Sequence, residues 1–430
     1  MDKPLLDRHT LSIEESAAKF SNWNANVFSP TSEEEVIKTV RAANEKGQKI
    51  TLVSGGTKLG YGGVKSNYDL TLSLRELSGI VEHTVGDMTV TVKPGTSMKE
   101  LQDYLRKHDQ MVALDPSWPA QATIGGVVAS NDSGPKRLKY GSARDHVIGM
   151  RIVYPNGKII RTGGKVVKNV AGYDMNKLFV GSMGTLGVIT EITLKLRPLP
   201  KCENLIMLTV REEALDDLLV FKKRIQDSMI EPVSLEILSP ALSKRLFNED
   251  GYSLLLALED VEKSVAFQKR WVKENKPAGV VMSIISEARE MWNTISNFHP
   301  NSLSDRDHTT TRSVMKIGTK NLDVFSILSE TTRIQHEGRI SVEAHGGAGH
   351  GITTVSLKGD AEAVIETIQH LQTYAMSMKG YGIVKHLPFS LRHRVNVWGD
   401  KPSYFKLFEG IKQSNDPKNT LNEKRYIGGL

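Results

Sequence analysis

Cysteine is almost absent. The 430 residues contain one, Cys202. A single thiol excludes an internal disulfide framework, and it excludes an iron–sulfur cluster held by this chain alone, because common clusters take four cysteine ligands. Long apolar runs are also missing. The best candidate, Leu254-Leu255-Leu256-Ala257-Leu258, is strand-sized and far short of the roughly 20 residues that cross a bilayer. Residues 1–15 have no apolar core and carry acids early, unlike a secretory signal. The expected location is cytoplasmic, with membrane contact at most peripheral. No low-complexity tract or internal repeat stands out.

What is present is ordinary for a globular protein: 39% apolar and 24% charged residues. The length exceeds one hydrophobic core and suits two or three domains. The net charge is +7, and residues 131–170 carry nine basic groups (Lys136, Arg137, Lys139, Arg144, Arg151, Lys158, Arg161, Lys165, Lys168) against Asp132 and Asp145. A solvated face accounts for this, as does attraction of anionic ligands or an acidic partner. No aromatic-interleaved motif accompanies it, so nucleic acid is not expected as a partner.

The pattern of apolar positions gives the organisation. Thr31 or Ser32 can cap a helix whose first turn is acidic and whose stripe is Val36, Ile37, Val40 and Ala43, ending at Gly47. A short strand, residues 49–53, runs into Ser54-Gly55-Gly56-Thr57-Lys58-Leu59-Gly60. Further strands are expected at residues 68–73, 79–83, 89–93, 146–154 and 188–196, with a helix from Met98 capped by Thr96 or Ser97. Pro198-Leu199-Pro200 marks a boundary. Beyond it, strands and helices alternate, which suggests an antiparallel sheet covered by helices, as in ferredoxin-like folds.

Three glycine-rich segments dominate the first 200 residues. The loop 54–63 follows a strand and exposes successive backbone N–H groups, which can cradle a pyrophosphate because glycine admits a close approach. It lacks the Gly-Lys-Ser/Thr of a phosphate-binding NTPase loop, and its glycine spacing is not that of the Rossmann fingerprint. On its own it also suits a plain surface loop. The second segment runs from Pro116 through Ala122-Thr123-Ile124-Gly125-Gly126 to Gly134 and Tyr140-Gly141. The third holds Gly172-Tyr173-Asp174, Leu178-Phe179 and Gly181-Ser182-Met183-Gly184-Thr185-Leu186-Gly187.

In this order the three segments resemble the FAD-binding domain of the vanillyl-alcohol-oxidase (PCMH-type) family. The stretch Lys168 to Phe179 looks like the FAD-binding subunit of glycolate oxidase in particular, and Asp416-Pro417 to Asn422 resembles the family's C-terminal Asp-Pro…Leu-Asn-Pro segment, with Glu423 in place of the last proline. The resemblance implies an α+β chain: a PCMH-type FAD-binding domain of two α/β subdomains over residues 1–200, a ferredoxin-like cap over 201–395, and a segment 396–430 returning to the FAD domain. It implies that Gly55, Gly56, Thr57, Lys58, Leu59 and Gly60 hold the pyrophosphate. Pro116, Thr123, Gly126, Ser130, Gly134, Tyr140 and Gly141 would line the ribityl and ring region, with Gly184, Gly187, Val188 and Ile189 contributing main chain. Some relatives attach FAD through a histidine of the first loop. This loop has none, so the FAD is expected to be non-covalent. Asp132 stands where relatives carry a small apolar residue, and an acid near a pyrophosphate is repulsive unless it points away or a cation such as Lys136 or Arg137 offsets it.

Oxidation of a two-hydroxy acid on a flavin needs a base for the hydroxyl proton, a cation for the carboxylate and the flavin as hydride acceptor. Metal-using relatives carry His-x-Gly-Asp-Gly-Asn-x-His in the cap. The matching piece here is His345-Gly346-Gly347-Ala348-Gly349-His350-Gly351-Ile352, which keeps the first histidine but not the central acid or the last histidine, so no metal is expected. If this stretch is β, His350 lies on the face of Ala348 and Ile352. His345 and Arg312 are the candidate catalytic residues; Lys316, His386, Arg392 and His393 also suit solvated surface. The resemblance implies an FAD-dependent oxidoreductase subunit that takes a small 2-hydroxy acid, glycolate or D-lactate. It implies a complex with a homologous flavin subunit and an iron–sulfur subunit, since this chain has no cluster of its own to pass electrons to. The alternative is a non-catalytic FAD-binding subunit that supports assembly and electron relay, which the altered metal motif favours.

Overall fold

The computed structural model describes residues 12–20, 26–65, 67–164, 173–285, 288–307 and 309–430. Lys165 and residues 168–172 of the third segment lie outside the described residues.

The first half is built as two α/β layers. The helix Glu33–Lys46 starts at Ser32, whose side chain accepts from the Glu35 amide, and stops at Gly47, which is left-handed at φ 70°. Its buried stripe of Val36, Val40 and Ala43 packs on Ile50 and Leu72. These two residues sit on β2 (Ile50–Val53) and β3 (Leu70–Ser73), which with β1 (Val27–Phe28) form a parallel sheet in the order β1-β3-β2. The second layer is antiparallel, in the order β4-β5-β8-β6-β7. Its strands are β4 (Ile80–Thr84), β5 (Thr89–Val92), β6 (Val147–Val153), β7 (Ile159–Gly163) and β8 (Val188–Lys195). The helix Met98–Arg106 has a full capping box between Ser97 and Glu100. It buries Met98, Leu101 and Leu105 completely against this sheet, each contributing about 1.5–3 kcal/mol of apolar burial.

The second half carries one eight-stranded antiparallel sheet. In chain order its strands are β9 (Cys202–Val210), β10 (Ser234–Leu238), β11 (Tyr252–Asp260), β12 (Val281–Ile285), β13 (Thr311–Gly318), β14 (Ser341–Gly347), β15 (Ile352–Gly359) and β16 (Tyr381–His386). Across the sheet the order is β12-β9-β11-β10-β14-β15-β13-β16. Each consecutive group of four has ferredoxin-like order, and the two groups join edge to edge through β10 and β14. The expected ferredoxin-like cap is thus a side-by-side pair. Period-two alternation sorts the side chains. Leu254, Leu256, Ile237, Ala344, Val355, Met315 and Val384 face the helices Leu215–Gln226, Glu262–Asn275, Val324–His336 and Ala361–Ser377 and form the largest core. The opposite face carries Glu236, His345, Thr354, Lys316 and Lys385.

After the helix Phe405–Asn415, the chain returns to the first half. The buried Asp416 carboxylate accepts from the Thr420 and Leu421 amides and from Lys412 Nζ at 2.7–2.9 Å, and Lys412 also donates to Thr185 O. Among the described residues no helix is long and apolar enough to cross a membrane.

Candidate active site

The loop 54–59 leaves β2 and faces the helix Ile124–Ser130 and the turn 183–187 across an open cleft. Its walls are short side chains: Ser54, Gly55, Gly56, Thr57, Ala122, Thr123, Gly126, Ser130, Gly184 and Gly187. Close approach enforces this composition. A Cβ on Gly55 would lie 2.0 Å from Gln121 O, and Gly184 sits at φ 71°, where a side chain is strained. Thr123 Oγ1 donates to Ser54 Oγ at 2.9 Å and ties two of the three walls together. The C-terminal segment ties the others. Asn422 accepts from Leu52 N (2.8 Å) and donates to Met183 O (2.7 Å), while the half-buried Arg425 donates to Lys58 O (2.8 Å). An open cleft with so much glycine, serine and threonine in its wall lets backbone amides approach an extended dinucleotide.

Of the residues expected around the cofactor, Gly55, Gly56, Thr57, Lys58, Leu59, Thr123, Gly126, Ser130, Gly184, Gly187 and Ile189 line this cleft. The others sit elsewhere. Gly60 packs against His386, with its amide donating to Ser302 Oγ. Val188 points into the core beneath the parallel sheet. Pro116 and Tyr140 line a second, wider cavity between the two halves. There Tyr140 donates to Glu259 (2.7 Å) and Lys136 pairs with the same carboxylate. Gly134 packs on Asp115, and Gly141 is left-handed beside Asp145. The basic run of residues 131–170 does not act as one face either. Arg151 pairs with Glu33 and Glu191, and Lys139 approaches Glu231.

Asp132 neither points away nor meets Lys136 or Arg137. It is buried, and its two oxygens meet Lys58 and Lys385, each at 3.0 Å. Burial alone would raise this carboxyl, but Lys385 and Lys58 outweigh it and hold it far below the usual carboxylate range. The pair links the cofactor loop to the cap sheet through Lys385 on β16.

The cap face nearby holds an imidazole–carboxylate cluster. Glu236, fully buried on β10, lies 2.7 Å from His345 Nδ1 and 3.1 Å from His350 Nε2. Burial would raise the Glu236 carboxyl, yet the two histidines bring it below its ordinary value. The Ile352 amide donates to His350 Nδ1, so His350 carries its proton on Nε2 and donates to Glu236. In the same way His345 donates from Nδ1, which leaves its Nε2 as the free lone pair. Residues 348–351 form a turn rather than β structure, so the expected sharing of a face by Ala348, His350 and Ile352 does not arise. Ala348 is buried in the cap core while His350 folds back onto Glu236. His345 packs edge-on against Phe298, which packs edge-on against His299. Burial, with Lys385 next, lowers His299 to about 3. It stays neutral, with Nδ1 donating to Pro300 O and Nε2 accepting from Ser117 Oγ. Among the described residues no set of three or more His, Cys, Asp or Glu is arranged to hold a metal ion.

Arg312 is not brought to His345. It lies opposite Lys358 at the far end of β13. Sequence reasoning missed Glu236, His299 and Lys385. Only strand alternation could have flagged Glu236 and Lys385, since each acts through a partner distant in the chain.

Comparison with known proteins agrees with this geometry. Residues 25–163 match the family described as FAD binding domain. Glycolate oxidase subunit GlcD of Bacillus subtilis (strain 168) is 27% identical over 92% of this chain and 87% of its own. D-lactate dehydrogenase of Archaeoglobus fulgidus is 27% identical over 95% of this chain and 92% of its own. Glycolate oxidase subunit GlcE of Escherichia coli (strain K12) is 43% identical over 132 residues, 30% of this chain and 38% of its own. The fold matches that of p-cresol methylhydroxylase with substrate bound, at a TM-score of 0.72 and 14% identity, over 97% of this chain and 93% of the other. Residues 25–163 are therefore an FAD-binding domain of the PCMH type, in a chain that is an FAD-dependent oxidoreductase related to glycolate oxidase subunit GlcD and D-lactate dehydrogenase.

Proposed function

We propose that this flavoprotein oxidises a small 2-hydroxy acid, glycolate or D-lactate, and passes the electrons to a partner subunit. The observation that carries the reading is the Glu236–His345 pair on the cap face that meets the cofactor domain. Glu236 fixes the His345 tautomer, so that Nε2 can take the substrate hydroxyl proton and the resulting imidazolium is stabilised by the buried carboxylate. The bound FAD supplies the hydride acceptor. Main-chain amides of residues 55–59 hold the pyrophosphate. Thr123, Gly126 and Ser130 line the ribityl side, and Gly184, Gly187 and Ile189 the third wall. We assign residues 1–200 to cofactor binding, 201–395 to the cap and 396–430 to the returning segment. With no histidine in the loop, the FAD is non-covalent. Acid denaturation should release all yellow colour, and colour kept on the precipitate would refute this.

The single cysteine leaves no internal cluster, which supports an iron–sulfur partner. The similarity to GlcE supports a homologous flavin subunit in a cytoplasmic complex, whose membrane contact would run through partners. The same similarity, with Ala348 and Ile352 replacing the metal-motif residues, favours a second reading: a non-catalytic subunit for assembly and electron relay. Anaerobic absorption spectra separate the two. Bleaching of the isolated chain by glycolate or D-lactate supports the first. An unbleached chain whose assembled complex turns over supports the second.

A further inference from the structure

Cross-strand pairing aligns four side chains in one transverse row of the cap sheet. His345 on β14 faces Thr354 on β15, Thr354 faces Lys316 on β13, and Lys316 faces Ile383 on β16. Paired residues share a face, so His345, Thr354 and Lys316 project toward the cofactor domain together. His345 and Lys316 are two strands apart, about 10 Å between backbones. Both are long enough to close that gap around a small molecule, and the Thr354 hydroxyl lies between them. Arg312 shares the face but sits about 13 Å further along β13.

Among the described residues Lys316 and Arg312 are cations of this face with no counter-ion, and of the two only Lys316 stands in the His345 row. Its ammonium makes no hydrogen bond or ion pair among the described residues. The charged groups that act on it are Lys385 on β16, Arg137 from the helix Arg137–Tyr140, and Asp132. Asp132 is already engaged by Lys58 and Lys385. His345 on β14 is engaged by Glu236. Burial, then Lys385 and Arg137, lower the Lys316 ammonium to about 8. An arriving anion would relieve both the burial and the repulsion.

We infer that Lys316 is the seat of the substrate carboxylate, placed across Thr354 from the base His345, so that the site selects small acids with a carboxylate next to the reacting hydroxyl. This rests on the oxidoreductase reading above and adds the group that recognises the anion.

The test separates the two. Oxalate, a small dianion that cannot be oxidised by hydride loss, is titrated into the oxidised flavoprotein, and its affinity is read from the change in flavin absorbance without turnover. Lys316→Met and Lys316→Gln should keep the parent's flavin content and bind oxalate about 10- to 100-fold more weakly, the range for losing a charge-assisted hydrogen bond. With glycolate or D-lactate their KM should rise by a similar factor, more than kcat falls. In the parent, oxalate affinity should decline as pH rises past about 8; in Lys316→Met that decline should vanish. Parent-like oxalate affinity in both variants, or no oxalate binding by the parent, overturns the assignment. A parent that binds oxalate through Lys316 but is bleached by no hydroxy acid keeps the anion seat and sinks the proposed substrate instead.

Discussion

Replacing Asp132 by Asn should destabilise the flavin-free protein by about 3–5 kcal/mol, the cost of breaking a buried ion pair from one side. The structure supplies the terms. Asp132 is 8% exposed and meets two ammonium groups at 3.0 Å. At an effective dielectric near 20, each contact provides roughly 5 kcal/mol of attraction, much of it offset by desolvation. Asparagine removes both attractions and leaves Lys58 and Lys385 facing each other. The carboxyl titrates far below its unfolded value because Lys385 and Lys58 outweigh its burial. Its stabilisation is therefore complete above the unfolded pKa and is lost only as pH falls well below it. The difference between the two proteins should be flat from pH 5 to 8. Urea unfolding at these pH values, followed separately by flavin and tryptophan emission, measures it. With FAD bound the deficit should shrink, because the freed Lys58 gains the cofactor's phosphates. Adding Lys385→Met to Asp132→Asn should recover about 1–3 kcal/mol, since it removes one of the two stranded charges. A variant as stable as the parent, or strictly additive effects of the two substitutions, would show that the carboxylate does not bridge the cofactor loop to the cap.

Gly55→Ala would place a methyl 2.0 Å from Gln121 O. The cleft must open to admit it, at a cost of about 1–3 kcal/mol, and flavin per protein, read by absorbance, should fall at least severalfold. Asp115 is raised by burial to about 6, against opposing bonds from the Lys136 amide and Trp292. A carboxyl raised above its unfolded value is most favourable below that value and loses stability as pH rises through 6. Asp115→Asn should thus gain about 1–3 kcal/mol at pH 8 in urea titrations, shrinking toward zero near pH 4; a gain independent of pH would contradict it. Glu236→Gln should leave flavin content unchanged and slow substrate bleaching of the flavin by about 100-fold or more, as stopped-flow absorbance would show.

The parts of the fold legible in the sequence are those fixed by local pattern. Ser32 and Gly47 bracket a helix at the expected places, and the strand-sized apolar run of residues 254–258 lies within a real strand. The helix Ile124–Ser130 was not legible, because Gly125 and Gly126 argue against a helix. Gly125 is there for contact, since a Cβ would come within 2.6 Å of Pro94. β16 was missed because Lys385 gives its exposed-looking half a surface composition, and that half faces Asp132 of the other domain. The glycine loops announced the cofactor because backbone contact demands small residues wherever it occurs. The polar cluster was hidden because Glu236 is an acid among apolar strand residues until the turn at His350 and the strand at His345 are folded onto it. Asp132 shows the same limit. Its sequence neighbours Lys136 and Arg137 were the obvious cations, and the fold chose Lys58 and Lys385.

The returning segment has a consequence for biosynthesis. Asn422 and Arg425 complete a loop whose other residues lie near positions 52–58 and 183. A ribosome that has released the first two hundred residues has therefore delivered most of the cofactor cleft but not its final braces. Firm flavin uptake must wait until the cap and the helix Phe405–Asn415 have emerged, so that a nascent chain arrested within the cap should hold the cofactor only loosely.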